Sequence, residues 1–348
     1  MSSVENSSDR LLSVIMPTFN RASMTCRAID SLIAQQFEDW ELVVVDDGST
    51  DDTGQKVLSY KDDRIRYFRK QNEERSIARN FGIARARGCF VNFLDSDDIV
   101  EPDHLAVAAG VISKFPEVQV FHLGYSLLNM ETGERLNRPL PTTEELPGTL
   151  LSENPLSGNA IFIKRQLLGE VRFANSRSAV IGEDWCLWLR LAARHLVHFE
   201  RQVTSHVVVH AGRSTAKIDP DTYRRATFAT LNTLGDDTVF VAAVGTAAYR
   251  RFRAEQLMGV ALNYLINEKF DKIEAIRFIK MAALCDFRAL LTKRFAVCIK
   301  SSSRASLGAI MTMRLLMLIT NDGVGGAERV FSDHSDYFRT VSRRTGRL

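Results

Sequence analysis

An α/β fold with an open, mostly parallel sheet is what this sequence predicts, on three observations. Short apolar runs alternate with amphipathic stretches from residue 11 to about residue 100, joined by short connections, the pattern of strand–helix–strand units. Acidic clusters stand just past two of the apolar runs, Asp46-Asp47 after residues 42–45 and Asp95-Ser96-Asp97-Asp98 after residues 90–94. Carboxylates there fall in the crevice at the carboxyl edge of an open sheet, where ligands bind. From residue 221 onward the periodicity is helical.

The elements follow in order. Residues 11–16 form an apolar strand halted by Pro17, and residues 24–36 carry apolar positions at helical spacing. Residues 40–45 are the second strand, and the turn over residues 47–51 caps the helix after it. Residues 65–68 predict a third strand, residues 76–86 a helix closed by Arg87-Gly88, and residues 90–94 a fourth strand. A helix over residues 104–115 and a strand over residues 118–125 come next. The polar, proline-containing stretch of residues 129–148 is expected to be a mobile loop over a site. Residues 160–163 and 203–210 predict strands, residues 184–193 a helix, and residues 254–266 and 273–284 amphipathic helices.

Length and composition bound the function. The chain has 348 residues, is 45% hydrophobic and has a mean hydropathy of -0.10, as expected of a globular protein with a core. Its five cysteines (Cys26, Cys89, Cys186, Cys285, Cys298) are scattered without a C-x-x-C pair, which argues against a disulfide framework or a zinc site. The polar N-terminus is expected to be a disordered tail over residues 1–10 rather than a signal peptide. No apolar run is long enough to span a bilayer; the longest, residues 305–320, is broken by Arg314. A cytoplasmic protein is expected. The net charge of +3 is unevenly spread: residues 247–348 carry 18 Lys and Arg against 9 Asp and Glu, and residues 1–246 carry 27 against 33. An acidic front suits a cation-dependent site, and a basic back suits peripheral contact with anionic lipid on the inner face of the membrane. The basic residues are not interleaved with stacking aromatics, so no nucleic-acid partner is expected.

The D-x-D arrangement of Asp95 and Asp97 can hold a hard divalent cation through oxygen, and such a cation takes its remaining ligands from water and phosphates. Asp97 is the candidate direct ligand, with Asp95 supporting it or holding a ribose. Three carboxylates packed there without a cation would repel one another. Asp97 or Asp98 could instead cap the helix beginning near Pro102. Trp185 and Trp188 are read as core, although Trp185 could stack on a substrate.

Pro17-Thr18-Phe19-Asn20-Arg21, Asp46-Asp47-Gly48-Ser49-Thr50-Asp51, Ser76-Ile77-Ala78-Arg79-Asn80-Phe81-Gly82, Asp95-Ser96-Asp97-Asp98 and Gly182-Glu183-Asp184-Trp185 stand in order along the chain. The series resembles the family 2 inverting glycosyltransferases of GT-A fold over roughly residues 11–215. The resemblance implies a doubly wound, mostly parallel sheet over residues 11–220 with a helical extension over residues 221–305. It implies transfer of a sugar, with inversion, from a nucleoside-diphosphate sugar, UDP-linked by preference, to a glycan or lipid-linked acceptor in cell-surface polysaccharide or glycolipid synthesis, with Mn²⁺ or Mg²⁺ as cofactor.

By the same resemblance Pro17, Thr18, Asn20, Asp46, Asp47, Arg79, Asp95 and Ser96 contact the nucleotide-sugar, Asp97 and His210 hold the metal, and Asp184 is the general base. One position departs from the family: Glu74 stands where relatives often carry glycine. Residues 306–348, with Gly323-Val324-Gly325-Gly326, resemble the truncated start of a GT-B glycosyltransferase, too short to fold as that domain. Two other functions compete. A sugar nucleotidyltransferase would want a Gly- and Lys-rich loop after Pro17, which is absent. A degenerate nucleotide-sugar-binding subunit of a polysaccharide assembly complex would not need Asp97 and Asp184 intact.

Overall fold

The computed structural model describes residues 10–178, 180–210, 218–267, 272–292, 294–295 and 298. The expected disordered tail over residues 1–10, apart from Arg10, and the GT-B-like tail over residues 306–348 lie outside them. The chain divides into two compact units, Met1–Tyr249 and Arg250–Leu348.

In the first unit, β1 (Leu12–Thr18), α1 (Ala22–Ile33), β2 (Trp40–Asp46), α2 (Thr53–Ser59), β3 (Ile65–Arg69), α3 (Arg75–Ile83) and β4 (Phe90–Phe93) alternate as expected. Both faces of β1 and β2 are buried, which is why they read as continuous apolar runs rather than alternating ones. Next come β5 (Ile99–Val100), α4 (His104–Lys114), β6 (Val120–Asn129), β7 (Arg135–Asn137), α5 (Leu146–Leu150), β8 (Ile161–Lys164), α6 (Leu167–Glu170), α7 (Glu183–Ala192) and β9 (Val197–Val209). Helices α8 (Pro220–Asp236) and α9 (Thr238–Val244) follow, and α10 (Thr246–Ile266) begins just before the unit boundary.

The strands form one mixed sheet in the order β3-β2-β1-β4-β8-β6-β9-β5, with β7 paired to β6. The β3-β2-β1-β4 half is parallel, β8 joins it antiparallel to β4, and β9 runs parallel to β6. The expected strand–helix alternation is therefore present in the front half, and the second half adds antiparallel neighbours. A core of Leu12, Val14, Leu42, Val44, Leu105, Phe121 and Phe162, among others, packs on one face of the sheet. Trp188 is buried against Phe93 and Phe173, as expected of a core residue.

Three local expectations are corrected. Strand β1 does not stop at Pro17 but runs through it to Thr18. Pro17 faces the β4 side, where the ladder already ends at Ile15 and Phe93, so its missing N–H breaks no bond. Residues 129–148 are not one loop, since they contain β7 and the start of α5. Asp97 and Asp98 do not cap α4, whose N-cap position is Asp103; Asp98 accepts instead from Val208 N–H (2.9 Å) and Asn159 Nδ2 (3.2 Å).

In the second unit, α10 and α11 (Lys272–Cys285) cover the two expected helical segments, with Tyr264 and Phe278 in ring contact at 5.6 Å, but α10 is buried over most of its circumference rather than along one stripe. No helix among the described residues is long and apolar enough to cross a membrane.

Candidate active site

Strand ends build the site. At the carboxyl edge of β1, Asn20 takes a left-handed conformation (φ 51), which asparagine tolerates. Its side-chain oxygen accepts from Thr50 N–H (2.7 Å) and Asp51 N–H (3.3 Å), and its own N–H donates to Ser49 Oγ (2.9 Å). Asn20 thus ties the β1 loop to the β2 loop.

The two acids after β2 differ in role. Asp46, 1% exposed, accepts from Ser49 N–H (2.7 Å) and the Tyr67 hydroxyl (2.6 Å). Both its oxygens are engaged inside the loop. Asp47 accepts from Lys70 Nζ (2.8 Å), Glu73 N–H (3.1 Å) and Glu74 N–H (2.9 Å), and it lines the central cavity.

Helix α3 carries Arg79 toward the same cavity. The helix lies close on the sheet because residue 82 is glycine: a Cβ there would fall 2.5 Å from Ile15 Cγ2. Arg79, 4% exposed, donates to Asp95 Oδ1 (2.5 Å) and Glu183 Oε1 (2.9 Å). Arg75 also donates to Glu183 Oε1 (2.9 Å). Burial works against ionisation of Asp95, but the Arg79 and Arg75 charges overcome it and hold the carboxyl below its usual range.

Asp97 Oδ2 meets His210 Nε2 at 3.1 Å and Arg21 Nη1 at 2.7 Å. The two candidate metal ligands, 113 residues apart in sequence, are thus neighbours. One carboxylate and one imidazole do not make an all-protein cage, and no cluster of three or more acidic, His or Cys side chains suited to a metal occurs among the described residues. A two-ligand set fits a cation that keeps waters and takes phosphate oxygens.

Asp184 lies in the first turn of α7. Its oxygens accept from Trp185 N–H (2.7 Å) and Asn154 Nδ2 (3.4 Å). Burial, and then the neighbouring Glu183 charge, push its carboxyl up to about 6. Trp185 is turned away to donate to the Leu150 carbonyl (2.8 Å).

Pro17, Thr18, Asp47, Arg79, Asp95, Ser96, Asp97 and Asp184 line one cavity of about 710 Å³. Asn20 and Asp46 stand behind its wall, and His210 reaches it through Asp97. Arg21, Arg75, Tyr125, Arg138 and Asn159 also line it, and these were not singled out from sequence. Arg21 sits within a motif that could have flagged it. Tyr125, Arg138 and Asn159 carry no local signal.

Residues 13–171 match the sequence model of glycosyl transferase family 2. An uncharacterized glycosyltransferase of Rickettsia felis is 34% identical over 223 residues, covering 62% of this chain and 35% of that protein. The chain spans about a third of the length of the curated relatives it matches first. An Escherichia coli protein, the UDP-Glc:alpha-D-GlcNAc-diphosphoundecaprenol beta-1,3-glucosyltransferase WfgD, is 29% identical over 184 residues, covering 53% of this chain and 70% of that one. The crystal structure of S. aureus TarS 1-349 shares the fold at a TM-score of 0.59 and 18% identity, covering 87% of this chain and 90% of that chain.

Proposed function

We propose, from the match of residues 13–171 to glycosyl transferase family 2, that the protein transfers a sugar, with inversion, from a nucleoside-diphosphate sugar to a glycan or lipid-linked acceptor at the cytoplasmic face of the cell membrane. A UDP-sugar is the favoured donor. WfgD, 29% identical, transfers from UDP-Glc to a diphosphoundecaprenol-linked sugar, which supports a UDP-linked donor and a lipid-diphosphate acceptor here. The products would be cell-surface polysaccharide or glycolipid.

One observation carries the reading: a carboxyl raised to about 6, Asp184, shares a cavity with Asp97 and its partner His210. A general base works best when its pKa lies near the working pH. Asp184 takes the proton of the acceptor hydroxyl as that oxygen attacks the anomeric carbon, and the bond to the nucleoside diphosphate breaks on the opposite face. Asp47 and the β1 loop orient the nucleotide. Arg79 holds Asp95 toward the cavity and keeps Glu183 from competing as the base. Asp97 and His210 would hold Mn²⁺ or Mg²⁺, which supplies charge to the departing diphosphate. Arg21 shares Asp97 Oδ2 and adds a second cation there.

The test is nucleoside diphosphate release from UDP-, GDP- and dTDP-sugars, with and without Mn²⁺. Release from one donor is expected, lost on chelation and in Asp97→Ala, and restored to the parent by Mn²⁺ or Mg²⁺. Nucleotide binding without any release, across acceptors, would make the chain a binding subunit instead.

A further inference from the structure

Four guanidinium groups line the cavity. Arg21 pairs with Asp97, Arg75 with Glu183, and Arg79 with Asp95 and Glu183. Arg138 has no carboxylate partner among the described residues, although it faces the same cavity. Its backbone N–H donates to the Tyr125 carbonyl (3.0 Å), and its guanidinium reaches the Tyr125 hydroxyl. That hydroxyl donates to the Pro155 carbonyl (3.2 Å), and the preceding residue, Asn154, donates to Asp184. Arg138 and Asp184 therefore flank one short segment of wall.

The order of strands says which substrate meets this wall. Asp47 follows β2 and Asp97 follows β4, so the donor nucleotide and its diphosphate occupy the β2-β1-β4 end. Arg138 lies beside β6, two strands beyond β4. From β2 to β6 is four strand steps, roughly 19 Å at the usual strand spacing. A group at β6 is past the diphosphate and on the side of the base. Leu127, Leu156, Val207 and Ile218 add apolar lining to the same cavity, beside the carboxylates of Asp184 and Asp219.

We propose that Arg138 recognises an anionic group, a phosphate or carboxylate, carried by the acceptor within a few bonds of the hydroxyl that Asp184 deprotonates. The inference rests on the transferase reading. A planar guanidinium can bond two oxygens of such a group at once, and in a recessed, partly apolar cavity that contact is stronger than in bulk water. It selects acceptors by charge, through binding rather than through the chemical step. The anion can belong to a lipid-linked sugar diphosphate, to a phosphate-bearing glycan or to a uronic acid; all three present the same oxygens to Arg138.

The experiment uses the full chain, a fixed UDP-sugar and four acceptors sharing one accepting sugar: a neutral alkyl glycoside, its soluble phosphodiester, its lipid diphosphate and the corresponding uronic-acid glycoside. An anionic acceptor is expected to show a KM at least about tenfold below the neutral one. Arg138→Gln raises the anionic KM until that discrimination falls toward one, with kcat changing less than about threefold, and Arg138→Lys recovers part of it. The three anionic arms identify the source. Equal KM values for neutral and anionic acceptors in the parent overturn the proposal, as does Arg138→Gln weakening both alike.

Should no acceptor receive sugar, the transferase reading fails separately. Calorimetric titration of the UDP-loaded protein with the soluble phosphodiester then decides Arg138: binding lost in Arg138→Gln but kept in Arg138→Lys upholds its role, and equal binding or none removes it.

Discussion

Glu74 adopts φ 80 and ψ 158, a region populated almost entirely by glycine. In that conformation its N–H meets Asp47 Oδ2 (2.9 Å), which suits the glycine that the family resemblance puts at this position. Holding a side chain in that region costs about 1–3 kcal/mol, partly offset by the greater unfolded-state freedom of glycine. Glu74→Gly is therefore expected to stabilise the fold by about 1 kcal/mol, seen as a higher denaturant midpoint at unchanged slope. An unchanged or lower midpoint would show that the strain is absent.

Asp184 makes a second prediction at this scale. Its carboxyl is raised from 3.8 to about 6, so it stays protonated until the pH passes about 6, and only above that is the base form dominant. The rate kcat should rise tenfold per pH unit below 6 and level off above, and Asp184→Asn should lower kcat by about 10²–10⁴ without that rise. The same shift means this group subtracts stability as pH climbs from about 4 to 6. A flat profile through pH 6 would remove Asp184 as the base.

At the scale of elements, Arg79 is the cross-link. It joins α3, the loop after β4 and the start of α7 through two carboxylates, with little exposure of its own. Its replacement by methionine strips Asp95 of its guanidinium partner and leaves the buried Glu183 with Arg75 alone, a loss of at most the roughly 3–5 kcal/mol typical of a broken buried pair. Arg79→Met should unfold at a correspondingly lower denaturant concentration, and adding Glu183→Gln should recover part of the loss. Independent, additive losses in the double variant would show that the two side chains are not coupled. The elements themselves were largely legible, because helical spacing and buried strand runs are local patterns. The exceptions have physical causes. Strand β1 passes through Pro17 because its neighbour β4 has already ended, a fact of pairing rather than of residue type. β7 is a short, exposed strand, Arg135–Asn137, that exists through its pairing with β6, so residues 129–148 read as loop.

For the whole molecule, charge is the readable property. Residues 247–348 carry twice as many basic as acidic side chains, and residues 1–246 are net acidic. Each basic residue near an anionic surface contributes about 1 kcal/mol, screened by salt. The protein is expected to float with phosphatidylserine vesicles at low ionic strength, to be released at about 0.5 M salt, and to ignore neutral vesicles. Failure to float at low salt would end the peripheral-membrane reading.

The sequence by itself determined the α/β class, the alternation that sets strand ends along one edge, and the acidic residues that stand there. These follow from periodicity and from which residue comes next. Only the tertiary structure decided which of those acids face a ligand. Asp46 looks like Asp47 in sequence, yet Asp46 is held off the cavity by Tyr67 and Ser49 while Asp47 lines it, and Asp98 is tied to Val208 and Asn159 while Asp97 meets Arg21 and His210. His210 became a partner of Asp97, and Glu183 a partner of Arg79, across more than a hundred residues. A carboxylate's availability depends on donors brought from distant segments, and no local pattern records which donors will arrive.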